Sequence, residues 1–252
     1  MKIYLVLCIL VSTLYSASGS HDEESTISLS SFSDFLSKMV KDDYYYCHAK
    51  RYTETFNFAL KNGVYKPGNV VELGSISPCT KYLMSFPGYD VVEYTRELRE
   101  PLSLDAESVD SIFLLEVYEH LKDKDDESHF ATFCNTGPKH LVKEIYRILK
   151  PGGKAICTTP NASSLTVLLN YLKKLPPYNY APHPREYTRD EVVKTFEDTG
   201  FVLEDQQIMD VWNLPPGTDR DSLLSAIEGL GFDSSGRGDD MMFVFSKPLS
   251  WN

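Results

Sequence analysis

The sequence predicts an α/β protein: a doubly wound, mostly parallel sheet with an antiparallel last strand, preceded by an N-terminal helical arm. Three observations predict it. Short apolar runs alternate with longer amphipathic stretches from Val70 to Phe245. The runs have strand length, and the stretches carry apolar residues at helical spacing. The last two runs, 201–208 and 241–246, are separated by Pro215-Pro216-Gly217 and a Gly-rich stretch at 229–238. That spacing suits an antiparallel edge pair.

In chain order, residues 1–20 read as a signal peptide. Lys2 is a short basic region, Ile3 to Tyr15 is largely apolar, and Ser16-Ala17-Ser18-Gly19-Ser20 offers small residues for cleavage. The run is short for a membrane span. An uncleaved anchor or a buried N-terminal helix is the alternative. Residues 21–65 form the expected arm, with Phe32, Phe35, Leu36, Met39 and Val40 at helical spacing and an aromatic-rich helix from Tyr44 to Leu60. Its place is on the main domain or over its cleft. Residues 66–252 form the main domain. Strands are expected at 69–73, 89–94, 110–116, 154–159, 201–208 and 241–246, and helices at about 79–86, 137–149, 162–174, 188–199 and 219–230. Residues 95–109 are too short for a helix and a further strand, so the fold is expected to be trimmed there.

Hydrophobic residues at 42% and charged residues at 24% are ordinary globular values and exclude wholesale disorder. A net charge of -11 disfavours phosphate backbones and anionic lipid as partners. Cys8 leaves with the signal, and Cys47, Cys79, Cys134 and Cys157 show no metal-knuckle or disulfide-framework spacing. One or two disulfides stay open. Asn161-Ala162-Ser163 is an N-glycosylation sequon.

Ligands of open α/β sheets bind beyond the carboxyl ends of the strands, so the loops there carry the candidate chemistry. After the first strand, Glu72 leads into Gly74-Ser75-Ile76-Ser77-Pro78; glycine there permits close backbone approach, and Pro78 removes a donor. After the third expected strand comes Glu116-Val117-Tyr118-Glu119-His120. If a helical turn begins near Glu116, then Glu116, Glu119 and His120 share one face. Such a set serves as a hard-metal site or as a general base held by acids. The bland alternative is a capped helix start with solvated acids and a packed histidine. Thr188 and Glu191 have capping-box spacing, downstream of His183.

Several blocks together resemble class I S-adenosylmethionine-dependent methyltransferases, a Rossmann-like family. They are Val70–Pro78, Pro101–Asp110, Asp110–Leu121, Val142–Lys154 with its RILKPGG, Cys157–Asn161 (CTTPN), His183–Val192 (HPREYTRDEV) and Asp239–Pro248. The resemblance runs from about 66 to 248. Ile76 and Pro78 stand where that family usually has glycines. By resemblance, Glu72, Gly74, Ser75, Glu93 and Glu116 would meet the cofactor, with Glu72 near its ammonium and Glu93 (rival Glu97) bridging the ribose. Asn161 would lie at the cleft mouth, its amide orienting substrate. Small-RNA 3′-end 2′-O-methyltransferases hold a divalent metal in an ExxEH segment with a later His, and ubiquinone-pathway O-methyltransferases are similar. Glu116, Glu119, His120 and His183 would be that site here, with Mg²⁺ as the ion and His120 or His183 as the base.

The resemblance implies methylation of a hydroxyl on a small molecule or glycan. The altered Gly74–Pro78 turn and the export signal favour a second reading, a catalytically degenerate binding protein. RNA 2′-O-methylation is a third, opposed by the acidic charge.

Overall fold

The computed structural model describes residues 27–39, 43–123, 135–212 and 214–249. The expected signal, residues 1–20, and Cys134 lie outside them, as does Val40 of the first predicted helix. No helix among the described residues is long and apolar enough to cross a membrane.

α1 (Leu29–Met39) and α2 (Asp43–Lys61) are amphipathic helices that meet through Phe32 and Phe56, stacked with ring centroids 4.0 Å apart. They lead into β1 (Gly68–Leu73), α3 (Pro78–Leu83) and β2 (Tyr89–Tyr94). β3 (Val109–Leu115) follows without an intervening helix or strand, the trimming expected from the shortness of that stretch. α4 (Thr136–Ile148), β4 (Leu149–Pro160), α5 (Leu165–Leu172), α6 (Arg189–Glu197), β5 (Val202–Met209), α7 (Arg220–Gly229) and β6 (Asp240–Ser246) complete the chain.

The strands form one sheet in the order β2-β1-β3-β4-β6-β5. β1, β2, β3 and β4 run parallel; β6 is antiparallel to both β4 and β5. This is the predicted mostly parallel, doubly wound sheet with an antiparallel end. β4 begins earlier than the expected 154–159. Its Pro151-Gly152-Gly153 segment is a bulge, and the pairing with β3 jumps from Val109↔Leu149 to Ser111↔Lys154. Gly152 takes φ 77°, open to glycine, so the chain kinks without leaving the sheet.

Each sheet face carries its own core. One face packs Val71, Ile112, Leu114 and Phe243 against α4 and α6, through Leu141, Ile145, Val192 and Phe196. The other packs Val70, Phe113, Ile156 and Val244 against α1, α2 and α3. The helices expected as an arm are thus a full layer of the domain core. The winding reverses between β1 and β3, so the crevice for a ligand lies beyond their carboxyl ends.

Candidate active site

Three loops at that crevice and two turns of α2 build the site. The first loop follows β1. Glu72 is buried, and its carboxylate accepts the Ser77 N–H at 2.7 Å and the Thr80 hydroxyl. It therefore shapes the turn as well as facing the cavity. Burial raises its carboxyl to about 7, against the lowering effect of those hydrogen bonds. Gly74 has φ 108°, and a Cβ there would sit 2.8 Å from Val117 Cγ2. The close approach that requires glycine is therefore made by the neighbouring loop. Glu93 of β2 is exposed and accepts the Ile76 N–H at 2.9 Å, and its rival Glu97 is engaged by Arg99.

A raised acid pKa favours the fold below its unfolded value, and that stability is lost as pH rises through the folded value. Glu72 thus costs on the order of 3 kcal/mol above pH 7. Glu72→Gln keeps an acceptor for Ser77 and Thr80. Thermal unfolding from pH 4.5 to 8 should show wild type losing stability across that window and the variant losing less.

The second loop follows β3. Glu116 adopts φ 55°, outside the helical turn, which is a 3₁₀ turn confined to Tyr118–His120. The expected single face of Glu116, Glu119 and His120 is therefore broken. Glu116 turns to Thr158, whose hydroxyl donates to it at 2.7 Å, and to the Arg51 guanidinium at 3.7 Å. Glu119 is 1% exposed and accepts the Thr159 hydroxyl on Oε2. Its Oε1 faces His120 Nε2 at 3.9 Å and His183 Nε2 at 3.8 Å. Burial, then the charge of Glu116, drives the Glu119 carboxyl well above the usual carboxylate range. Burial, then His183, lowers His120.

His183 reaches the site from the segment between α5 and α6. Its Nδ1 lies 2.8 Å from Glu186 Oε1. The buried Glu186 carboxylate also accepts the Asn179 and Tyr180 backbone N–H groups and the Asn179 side-chain amide, so it fixes the loop and the ring together. With Nδ1–H donated to Glu186, the lone pair of Nε2 points at Glu119. A carboxylate oxygen and two imidazole nitrogens then converge, all within 4.8 Å of one another, an arrangement that calls for a proton or a cation between them.

Of the four residues expected at a metal, Glu119, His120 and His183 come together and Glu116 stands apart with Arg51. Asn161 does not serve the mouth: it is 1% exposed and its amide donates to the Gly236 and Gly238 carbonyls. Its sequon is closed to a glycan in the folded chain. Thr188 and Glu191 are linked as expected, with the Glu191 carboxylate accepting the Thr188 N–H. Cys47, Cys79 and Cys157 are free thiols.

Two cavities meet here. One, of about 420 Å³, lies over the β1 turn and is walled by Glu72, Ser75, Ile76, Arg51 and Glu116 among others. The second, of about 450 Å³, is walled by Glu119, His120, His183, His48, Tyr180 and Trp212 among others. Tyr44, Arg51 and Glu116 belong to both. Arg51 is 4% exposed, and its Nε has no hydrogen-bond partner among the described residues. Burial works against its charge, but Glu116, Tyr52 and Asp240 hold it firmly protonated. Sequence reading missed Arg51, His48, Trp212 and Glu186. The signal for the first two was the Tyr44, His48, Arg51 spacing on one face of α2. For Glu186 it was the position three residues after His183.

A mostly parallel sheet that reverses its winding beside a two-part cleft is an architecture shared by S-adenosylmethionine-dependent methyltransferases. The chain belongs to the methyltransferase domain family, whose sequence model matches residues 45–206. A chain of the Haloferax volcanii complex between the Trm112 methyltransferase activator and a methyltransferase aligns at TM-score 0.53 and 16% identity. The alignment covers 91% of this chain and 100% of that one. A SAM-dependent methyltransferase from Thermotoga maritima aligns at TM-score 0.52 and 18% identity, over 86% and 97% of the two chains. The likeness at these identities is one of fold. No curated protein matches the chain by sequence.

Proposed function

We propose that the protein transfers the methyl group of S-adenosylmethionine to a hydroxyl of a small molecule or glycan. The observation that carries this reading is the convergence of Glu119, His120 and His183 on a cavity that shares a wall with the cofactor-side cavity. The acceptor hydroxyl enters beside His183 Nε2, between Tyr180 and Trp212. As its oxygen bonds to the methyl carbon, the carbon–sulfur bond breaks and S-adenosylhomocysteine leaves. His183 takes the proton on Nε2, and Glu186, held by Asn179 and Tyr180, keeps the ring oriented and stabilises the imidazolium. The chain's main contribution is to hold acceptor and sulfonium in line.

The donor set fits a divalent cation. Two imidazoles and one carboxylate suit an ion such as zinc or iron better than the magnesium expected from the resemblance. Glu119, His120 and His183 would hold it, with Glu186 behind His183. When bound, it would take the Nε2 lone pair of His183, which would then be a ligand rather than the base, and would itself lower the pKa of the acceptor hydroxyl.

Glu186→Gln tests the positioning role. Loss of such a supporting carboxylate typically costs about 10–100-fold in activity or metal affinity. We expect kcat to fall by that factor and KM to change little. The pH–rate profile should also shift, a signature that a merely structural role would lack.

The decisive assay is transfer of labelled methyl to a panel of catechols, phenols and oligosaccharides, with amines and RNA oligomers alongside. Transfer to hydroxyl acceptors supports the reading; transfer to amines alone contradicts it. RNA is disfavoured by the net charge of -11, which repels a phosphate backbone. A degenerate binding protein is favoured by Ile76 and Pro78 in the turn. Residues 1–20 would direct the protein to the secretory route, and N-terminal sequencing of secreted protein should begin at or after His21; a start at Met1 would refute cleavage.

A further inference from the structure

Two rows of rings line the second cavity. In one, Tyr44 and His48 of α2 have centroids 4.6 Å apart, and His48 meets Trp212 edge-on at 6.1 Å. In the other, His183 meets His120 at 4.6 Å and Tyr180 at 5.2 Å. The exposed Tyr44 and Tyr180 stand at the mouth of this space of about 450 Å³. The second row carries the convergence on Glu119; the chemistry described above gives the first row no task.

That first row is held in place from two distant parts of the chain. Tyr44 and His48 are one turn apart on α2. Trp212 follows β5, and the buried Asp239 carboxylate accepts the Val211 N–H at 2.8 Å and the Trp212 N–H at 3.1 Å. The Trp212 indole N–H then donates to His48 Nδ1 at 3.4 Å. That bond leaves the ring proton of His48 on Nε2. Burial, then the Arg51 charge, lowers the His48 pKa. His48 is thus a neutral hydrogen-bond donor and not a second base.

Such a wall suits a flat ligand with a polar edge, because aromatic rings gain from one another beyond the area they bury. The polar side chains around it already have protein partners. The Asn179 amide donates to Glu186, Glu116 accepts the Thr158 hydroxyl, and Glu119 Oε2 accepts the Thr159 hydroxyl. One acceptor hydroxyl is matched at His183 Nε2, whereas the several hydroxyls of a sugar would compete with those bonds. We propose that Tyr44, His48 and Trp212 form the acceptor-binding wall, and that this wall selects a planar aromatic alcohol of the phenol class over a sugar. The proposal rests on the methyltransferase reading and narrows its acceptor.

Calorimetric titration of the full chain, saturated with S-adenosylhomocysteine, compares 2-naphthol with its saturated analogue decahydro-2-naphthol and with methyl β-glucoside. We expect naphthol to bind about tenfold tighter than the saturated, non-planar alcohol, and tighter still than the glucoside. Trp212→Leu should weaken naphthol about fivefold, the size of one lost ring pair, and Trp212→Phe should restore it to within threefold. S-Adenosylhomocysteine affinity, measured on each variant, should stay constant, since Trp212 lies outside the first cavity's wall. His48→Leu repeats the test from the α2 side should Trp212→Leu fail to fold. Either control alcohol binding within threefold of naphthol, or naphthol affinity unmoved by the leucine variants, would overturn the proposal. Naphthol selectivity without any S-adenosylhomocysteine binding would instead remove the methyltransferase reading and leave the wall.

Discussion

Glu119→Gln lowers turnover by about 10²–10⁴-fold, the usual worth of a positioned acid–base group, while leaving the melting temperature unchanged or higher. Two features of the geometry lead to this result. Glu119 Oε1 is the point on which both imidazoles converge, at 3.8 and 3.9 Å, so its charge decides whether a proton or a cation is held there. The amide can still accept the Thr159 hydroxyl, so the local fold keeps its hydrogen bond. The carboxylate meanwhile sits 1% exposed beside Glu116, where burial disfavours its charged form. Removing that charge relieves the fold and disables the site, a trade common at functional positions. Steady-state kinetics with thermal unfolding on the same samples separates the two effects. A variant that loses stability in proportion to its activity would show a structural role only.

Arg51→Met has the second large effect, and it falls on both cofactor binding and stability. Methionine retains the apolar stem that covers Tyr52, over whose ring the guanidinium now lies at 4.7 Å. The charge is lost between Glu116 and Asp240, which face it from two strand ends. Breaking a buried pair by removing one partner costs about 3–5 kcal/mol. Asp240 is already held well above the usual carboxylate range, by burial and then by Glu116. Without the cation that shift grows, so the variant should lose further stability as pH rises and recover part of it toward acid pH. S-Adenosylhomocysteine affinity should fall at least 30-fold at a pH where the variant is folded. Unchanged affinity in folded variant would assign the guanidinium a purely structural task.

Much of the fold was legible because it rests on local periodicity. The runs at 69–73, 89–94 and 241–246 correspond closely to β1, β2 and β6, the buried β1 and β6 as apolar runs and the edge strand β2 as a short β-branched and aromatic run bounded by turn residues. The Pro-Gly-Gly at 151–153 was left outside the strand expected at 154–159, and the structure makes it a bulge within β4. Only cross-strand pairing with β3 distinguishes the two. The depth of Arg51 was hidden, because a helical arginine ordinarily reads as solvated. Its burial depends on how α2 lies over the strand ends. Glu116 was misplaced because its left-handed φ goes with the backbone bond from its N–H to the Thr158 carbonyl, a contact between paired strands whose residues are remote in sequence. Asn161 was assigned to the mouth from its position after a strand. The loop at 236–238 that captures its amide is remote in sequence.

The measurement closest to the central claim is calorimetric titration of S-adenosylmethionine into the folded chain. Binding in the micromolar range, about -8 kcal/mol, is the predicted result and would show that the turn bearing Ile76 and Pro78 admits the cofactor. No heat of binding from folded protein, with or without a divalent cation, would contradict the account and leave the degenerate scaffold in its place.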